Sequence, residues 1–461
     1  MSRFIATPVN IREFIADTPF NRFHGWMLFW ACFIITFDMY DLVVYGSVLP
    51  VLMEEWSLGP VAAGAIGSYG IFGMMVGAIL FGILADRMGR RKVLTLSVVL
   101  FSVASALCGF APGPEIFSVL RFLGGLGIGG ILPCLIAMLS DYAPRGRANT
   151  LVAVLMCFFS VGGILAAFVA MFMLPAFGWH SVYWAAALPL LFLPWMTRFF
   201  LDSPAVLLEQ GRMDELRSAL AKVNPGAALP ADAAFTGIAM KEAGSPVAAL
   251  FTNRRALGTL MIWVAFFMCL LMINGLSTWL PKLMVETGYA LNSSLTFMIV
   301  LNVGAIIGTL VLGRLSDMWG VKRVLVPMFV VSAVSLTLLG FGNNMAVLLL
   351  LVAVTGACTM GAQNISYSFV AQYYPSFMRS TAIGLASGVG RMGAILGPTF
   401  GGVLLTLGLP VQMNFVFFAI PGIIAALAFA FVPLAAGRTA GARKLRVPGE
   451  RSLIDAAAPL R

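Results

Sequence analysis

The chain has 461 residues, 60% of them hydrophobic and only 10% charged, with a mean hydropathy of +0.96. Soluble domains carry about 25% charged residues, so the composition excludes a soluble globular protein and implies a polytopic membrane protein. The net charge of +10 invites a nucleic-acid partner, but the basic residues sort by membrane side instead.

The first 24 residues are polar, and the first apolar run is too long and carries acids, so no signal peptide is expected. Apolar runs, each near the ~20 residues that cross a bilayer, fall at 26–50, 61–84, 92–111, 116–139, 149–173, 181–200, 256–280, 292–315, 322–341, 345–370, 379–406 and 413–435. They predict twelve spanning helices, spans 1 to 12 in chain order. The long connection is 201–255, polar with amphipathic pieces such as Pro204 to Val223. The expected organisation is a tail (1–25), a six-helix half (26–200), a central loop (201–255), a second six-helix half (256–435) and a tail (436–461). Of the 29 Lys and Arg, Lys282 lies on one side of the membrane, and Arg121 and Arg391 fall inside spans. All the others lie in the tails or in loops after even-numbered spans, which by the positive-inside rule puts both termini in the cytoplasm. The basic charge thus reports topology and contact with anionic lipid, not nucleic acid. The six cysteines fall in apolar runs without a CxxC pair, as small packing groups rather than disulfides or metal ligands.

Span 1 contains Phe37-Asp38-Met39-Tyr40-Asp41. Two carboxylates three residues apart share one helix face at membrane depth. Each costs roughly +2.5 to +3.5 kcal/mol there if ionised and unpartnered, which marks a functional site. Span 4 carries Arg121 and a glycine run, Gly124 to Gly130. With no preceding strand and no Gly-Lys-Ser, that run is no phosphate loop; small residues there let helices pack closely.

The segment Gly82 to Lys92, with Asp86, Arg87 and Arg90, recurs 231 residues on as Gly313 to Arg323, with Asp317 and Lys322. The same offset carries Tyr142 and Pro144 onto Tyr373 and Pro375, and Gly162 onto Gly393. A duplicated six-span unit is predicted, of the kind that builds transporter halves around a midplane site. The repeated loop supplies a tight Gly turn, an Asp able to accept from a helix N-terminus across the halves, and a basic cluster.

These two loops, together with Arg121-Phe-Leu-Gly124-Gly125-Leu-Gly127-Ile-Gly129-Gly130, resemble the major facilitator superfamily over about residues 20–435. The resemblance implies an all-α membrane protein of twelve transmembrane helices in two pseudosymmetric halves that open alternately. A narrower resemblance is to the aromatic acid:proton symporter family. It rests on Asp38-Met39-Tyr40-Asp41, Leu201-Asp202-Ser203-Pro204, and Gly390-Arg391-Met392-Gly393-Ala394-Ile395-Leu396-Gly397-Pro398. Met39 departs from the family's usual Gly and narrows any cavity beside it. The stretch from Asp38 to Gly46 is similar to benzoate-type members, which implies uptake of benzoate or a hydroxybenzoate with a proton.

Only Asp38 and Asp41 among the acids, and Arg121 and Arg391 among the bases, sit at depth. Buried charges need partners, so spans 1, 4 and 11 are expected to converge. The offset of 231 places Cys269, Met272 and Val352 opposite Asp38, Asp41 and Arg121, and Ser160 opposite Arg391. Scaffold residues are duplicated and membrane charges are not. The expected roles are proton uptake at Asp38 or Asp41, and Arg121 holding the deprotonated form. Arg391 is expected to bind the substrate carboxylate as a bidentate fork. Burial and a like neighbour both favour the protonated acid, and proton plus monoanion cross as a neutral load. The competing reading is four charges fixed in salt bridges that lock helices. Mid-span candidates for the rest of the cavity are Tyr40, Tyr45, Asn274, Trp279, Asn302, Gln363, Asn364 and Tyr367, suited to a planar aromatic acid. Candidate gate residues are Asp86, Arg87, Arg90, Asp141, Arg145, Asp317, Lys322, Arg323 and Arg379; Asp141, Arg145 and Arg147 read equally as solvated loop charges.

His24 and His180 lack ligand spacing, so no metal is expected; nor is any cofactor beyond a proton gradient. No nucleophile–base pair suggests an enzyme. The rival functions are proton-driven drug efflux, uptake of another small organic anion or of sugars, and a non-transporting receptor. Span 5 reads Ser160-Val-Gly162-Gly163-Ile-Leu-Ala-Ala without the Gly-Pro usual in efflux antiporters. A functional monomer is expected.

Overall fold

The structure, a computed structural model, describes residues 8–226, 234–236, 250–251, 255–342, 344–374 and 376–433. A three-residue parallel pair, β1 (Pro8–Asn10) with β2 (Ala234–Thr236), is its one departure from helix among the described elements. Helix α1 (Ile11–Ala16) follows, capped by the Asn10 side chain. The N-terminal half comprises α2 (Arg22–Glu55), α3 (Pro60–Met88), α4 (Arg90–Cys108), α5 (Pro114–Asp141), α6 (Ala148–Trp184) and α7 (Leu188–Phe199). Two short helices, α8 (Pro204–Glu209) and α9 (Met213–Val223), precede the C-terminal half. That half comprises α10 (Ala256–Glu286), α11 (Leu291–Trp319), α12 (Val321–Leu339), α13 (Met345–Tyr373), α14 (Ser376–Thr406) and α15 (Val411–Phe431).

By length and apolarity, eleven described stretches qualify as membrane spans, where the sequence predicts twelve. The difference lies in Thr150–Phe199, one stretch of 50 residues. A continuous helix of that length would run about 75 Å, over twice the ~30 Å hydrocarbon thickness. It is not continuous: Gly178 has φ 73° and ψ 174°, and α7 returns alongside α4 and α2. The stretch is long enough for two crossings and is broken at Gly178, which brings the spans among the described residues to the expected twelve.

The repeat is visible in the backbone. Gly89 (φ 92°, ψ 149°) ends α3 and starts α4, and Gly320 (φ 91°, ψ 138°) does the same for α11 and α12. Positive φ at both is a conformation that only glycine adopts without strain. Helices α3 and α5 touch backbone to backbone: a Cβ on Gly73, Gly77 or Gly125 would strike the carbonyls of Phe122, Leu126 or Gly70. The counterparts 231 residues on, Gly304, Gly308 and Gly356, stand in the same relation between α11 and α13. Small residues at these crossings let dispersion contacts substitute for the hydrophobic drive that lipid removes.

The halves meet along α3 with α14, α6 with α11, and α2 with α10. One face of the bundle carries both ends of the described chain and is called the terminal face; the other is the far face. On the terminal face the N-terminal half has a buttress. The apolar sides of α1, α8 and α9 (Ile11, Ile15, Leu207, Leu216, Leu220) share one core with Met27, Leu139 and Tyr142 of the spans. Asn21 Nδ2 donates to the Val223 carbonyl (2.6 Å), His24 Nε2 contacts the Tyr142 carbonyl (3.1 Å), and Arg145 N–H donates to the Ala16 carbonyl (2.9 Å).

Candidate functional site

Asp41 and Arg121 form a buried ion pair between α2 and α5. Arg121 Nη1 donates to Asp41 Oδ2 (3.0 Å) and to the Asp41 carbonyl (2.8 Å), with both residues 3% exposed or less. Ser105 on α4 donates to the remaining oxygen, Oδ1. Tyr45 lies under the guanidinium, its ring centroid 5.6 Å from Arg121 Cζ and its hydroxyl donating to the Ala63 carbonyl (2.5 Å). Glycine at position 70 leaves room for the guanidinium, since a Cβ there would stand 3.1 Å from Nη2. Breaking a buried pair of this kind costs about 3–5 kcal/mol, because it strands the surviving charge.

Asp38, one helical turn away, is 2% exposed, and its Oδ1 has no hydrogen-bond partner. Arg391 on α14 is half-buried. It crosses the seam between the halves, Nη1 donating to the Met74 carbonyl of α3 (3.3 Å). Among the described residues no carboxylate lies within ion-pair distance of it. Spans 1 and 4 are thus joined directly by the Asp41–Arg121 pair, whereas span 11 brings Arg391 to span 2, where it meets the Met74 carbonyl. Tyr367 stands beside Arg391, its hydroxyl 3.4 Å from Ser387 Oγ and its ring edge-on to Phe266 at 5.2 Å.

The other candidates divide. Tyr40 is fully buried, its hydroxyl donating to the Val182 carbonyl (2.6 Å) at the last turn of α6. Trp279 is fully buried too, its indole N–H donating to the Pro398 carbonyl (2.7 Å). Both serve as staples between helices. Asn302 fills the space beside Gly163, where α11 meets α6; its Nδ2 bonds the Met298 carbonyl (2.9 Å) and its Oδ1 has no partner. Asn274 bonds within its own helix (2.9 Å to the Leu270 carbonyl), Asn364 reaches Thr309 (3.1 Å), and Gln363 is half-buried.

Among the described residues the expected gate makes no ion pair between the halves. Arg90 pairs with Asp141, both within the N-terminal half. Arg145 pairs with Asp17 at 3.3 Å. Arg87 offers its carbonyl to Gln210 (3.1 Å), and Asp317 and Arg323 are exposed. Lys322 caps the end of α15 through the Ala430 and Val432 carbonyls (2.8 and 2.6 Å). The side chains of Asp86 and Arg379 lie outside the described residues. The acceptor for the α4 N-terminus is Asp202, which takes the Arg91 N–H at 2.9 Å.

Sequence reasoning missed the residues that close the far face. Ser68 and Thr399 hydroxyls meet across the seam at 2.8 Å. A Cβ on Gly64 would lie 2.5 Å from the Pro398 carbonyl, and one on Gly402 would strike the Pro60 carbonyl. Just inside this seal, Ile71, Leu270, Ala394 and Ile395 form a small apolar plug from both halves. Residues 384, 388, 391 and 395 share one face of α14. Ile395 sits in the plug, whereas Gly384 and Gly388 look onto open space. Beyond Arg391 the two halves are in contact as far as the far face, and on its terminal side the same face of α14 has nothing packed against it at Gly384 and Gly388.

Residues 31–306 and 297–456 match the Major Facilitator Superfamily. The chain is 39% identical over 423 residues to the benzoate transport protein of Acinetobacter baylyi, covering 90% of this chain and 91% of the relative. It is 32% identical over 429 residues to the gallate transporter of Pseudomonas putida, covering 92% and 95%. Among solved structures, a D-xylose-proton symporter superposes with a TM-score of 0.71 at 18% identity, over 90% of this chain and 99% of that one.

Proposed function

Because the chain belongs to the Major Facilitator Superfamily, and within it to the aromatic acid:proton symporter family, we propose that it carries an aromatic monocarboxylate across the membrane together with a proton. It is a multi-pass membrane protein and not an enzyme. The observation that carries the reading is Arg391: a cation at membrane depth, at the seam between the halves, with a backbone carbonyl as its acceptor and no carboxylate in ion-pair range among the described residues. A carboxylate on the substrate fits that place and accepts both arms of the fork. Tyr367, half-buried next to it and backed by the buried Phe266, offers an aromatic surface, and a flat aromatic acid suits such a wall.

Proton coupling falls to the Asp41–Arg121 pair. Arg121 and Ser105 support the ionised carboxylate, so the terminal-face-open form represents the state after proton release, ready to reload from the far side. Asp38, buried with an unpartnered oxygen, biases the pair through like-charge repulsion. With the termini in the cytoplasm of a bacterial cell, this is the inward-open form of a monomeric uptake system. Benzoate and hydroxybenzoates are the substrates proposed, in keeping with what the benzoate and gallate relatives are named for.

The test is accumulation of labelled benzoate, hydroxybenzoates and gallate in proteoliposomes under an imposed pH gradient. Wild type should accumulate at least one. Asp41→Asn should abolish accumulation yet retain counterflow exchange, and Arg391→Lys should lose both. Unchanged gradient-driven uptake by both variants, or competition by sugars and not by aromatic acids, would overturn the proposal.

A further inference from the structure

A crevice of about 600 Å³ opens on the terminal face of the N-terminal half, between α4, α7 and α9. Arg91 and Lys92 stand at its mouth, and both are exposed. Leu96 and Val99 continue its wall along the lipid-facing side of α4. Two carboxylates also line it, and both are already engaged. Asp202 accepts from the Arg91 N–H (2.9 Å) and Arg212 Nη1 (3.5 Å). Glu215 is doubly paired with Arg212 (2.8 and 2.5 Å). The Arg212 hydrogen bonds hold the Glu215 carboxyl below the usual carboxylate range, and Lys92 and Arg91 add to this through space. Among the described residues the side chains of Arg91 and Lys92 make no ion pair or hydrogen bond.

The repeat supplies a comparison inside the same molecule. Shifted by 231, Arg91 and Lys92 become Lys322 and Arg323. Lys322 folds back onto the Ala430 and Val432 carbonyls (2.8 and 2.6 Å). Those residues correspond to Phe199 and Leu201, after which the N-terminal half instead turns Asp202 onto the backbone of Arg91. One half therefore commits its first cation to its own helix end; the other leaves both cations directed outward above an apolar groove.

We propose that this crevice binds the phosphate headgroup of an anionic phospholipid from the leaflet at the terminal face. Arg91 and Lys92 hold the phosphate, and one acyl chain lies along Leu96 and Val99. A soluble phosphate shares the headgroup chemistry but has nothing to place on the apolar wall.

The full chain is reconstituted in phosphatidylcholine nanodiscs containing a trace of spin-labelled phosphatidylglycerol or spin-labelled phosphatidylcholine, and their relative association constants are measured. Wild type should prefer phosphatidylglycerol. Arg91→Gln with Lys92→Gln should lower that preference about five-fold for each cation removed. Lys322→Gln with Arg323→Gln should leave it unchanged. Leu96→Trp, which fills the groove and keeps every charge, should lower it as well, and it decides the matter if the double variant fails to fold. The proposal is overturned if the preference survives Arg91→Gln with Lys92→Gln, or falls equally in the Lys322/Arg323 variant. It is also overturned if inorganic phosphate abolishes the preference while Leu96→Trp leaves it intact.

Discussion

Asp41 receives donors from two neighbouring helices, and Asp38, three residues earlier, leaves an oxygen without any. Ser105 completes the first carboxylate, and hydrogen bonds to charged groups contribute about 1.5–3 kcal/mol. Ser105→Ala should therefore slow net proton-driven uptake by roughly ten-fold, since the ionised state loses a donor, while counterflow exchange continues; equal loss of both activities would contradict this. The membrane charges were legible in the sequence because each acid at depth has a cost that must be justified. Ser105 was not. Hydroxyls in spans usually bond their own helix, as Ser118 does to the Pro114 carbonyl and Thr36 to the Cys32 carbonyl, so a serine that reaches a neighbour instead leaves no mark in the sequence. Tyr40 and Trp279 were legible as polar aromatics at depth, but not as staples. Which carbonyls of neighbouring helices accept their protons depends on how the helices pack.

Helix by helix, the interruption between spans 5 and 6 was readable: the apolar gap at 174–180 brackets Gly178, where the backbone turns. Helix ends were not readable. α2 runs on to Glu55 and α10 to Glu286, because backbone hydrogen bonding continues past the point where hydropathy falls. The close crossing of α3 and α14 is the element on which closure of the far face depends. Gly64→Val would force the Pro398 carbonyl away, at an overpacking cost of about 1–3 kcal/mol. The expected result is a roughly ten-fold shift away from far-face closure, read as faster labelling of a cysteine placed near Ser68 and slower net uptake. Unaltered accessibility would show that the seam is not tight.

At the scale of the whole bundle, which face is closed was beyond the reach of sequence, since under the proposed alternating access one chain adopts both states. Closure by Ser68 and Thr399 gives a direct handle. With their hydroxyls 2.8 Å apart, Ser68→Cys with Thr399→Cys is placed to form a disulfide under oxidant. Transport should stop on oxidation and return with reductant; continued uptake by the crosslinked protein would mean that the far face need not open there. The buttress of α1, α8 and α9 sits under one half, stitched by Asn21, His24 and Arg145. A rocking molecule braced in this way resembles a door hung on a frame. On the proposed alternating access, the N-terminal half is the jamb, stiffened at its sill by α1, α8 and α9, and the C-terminal half is the leaf expected to swing.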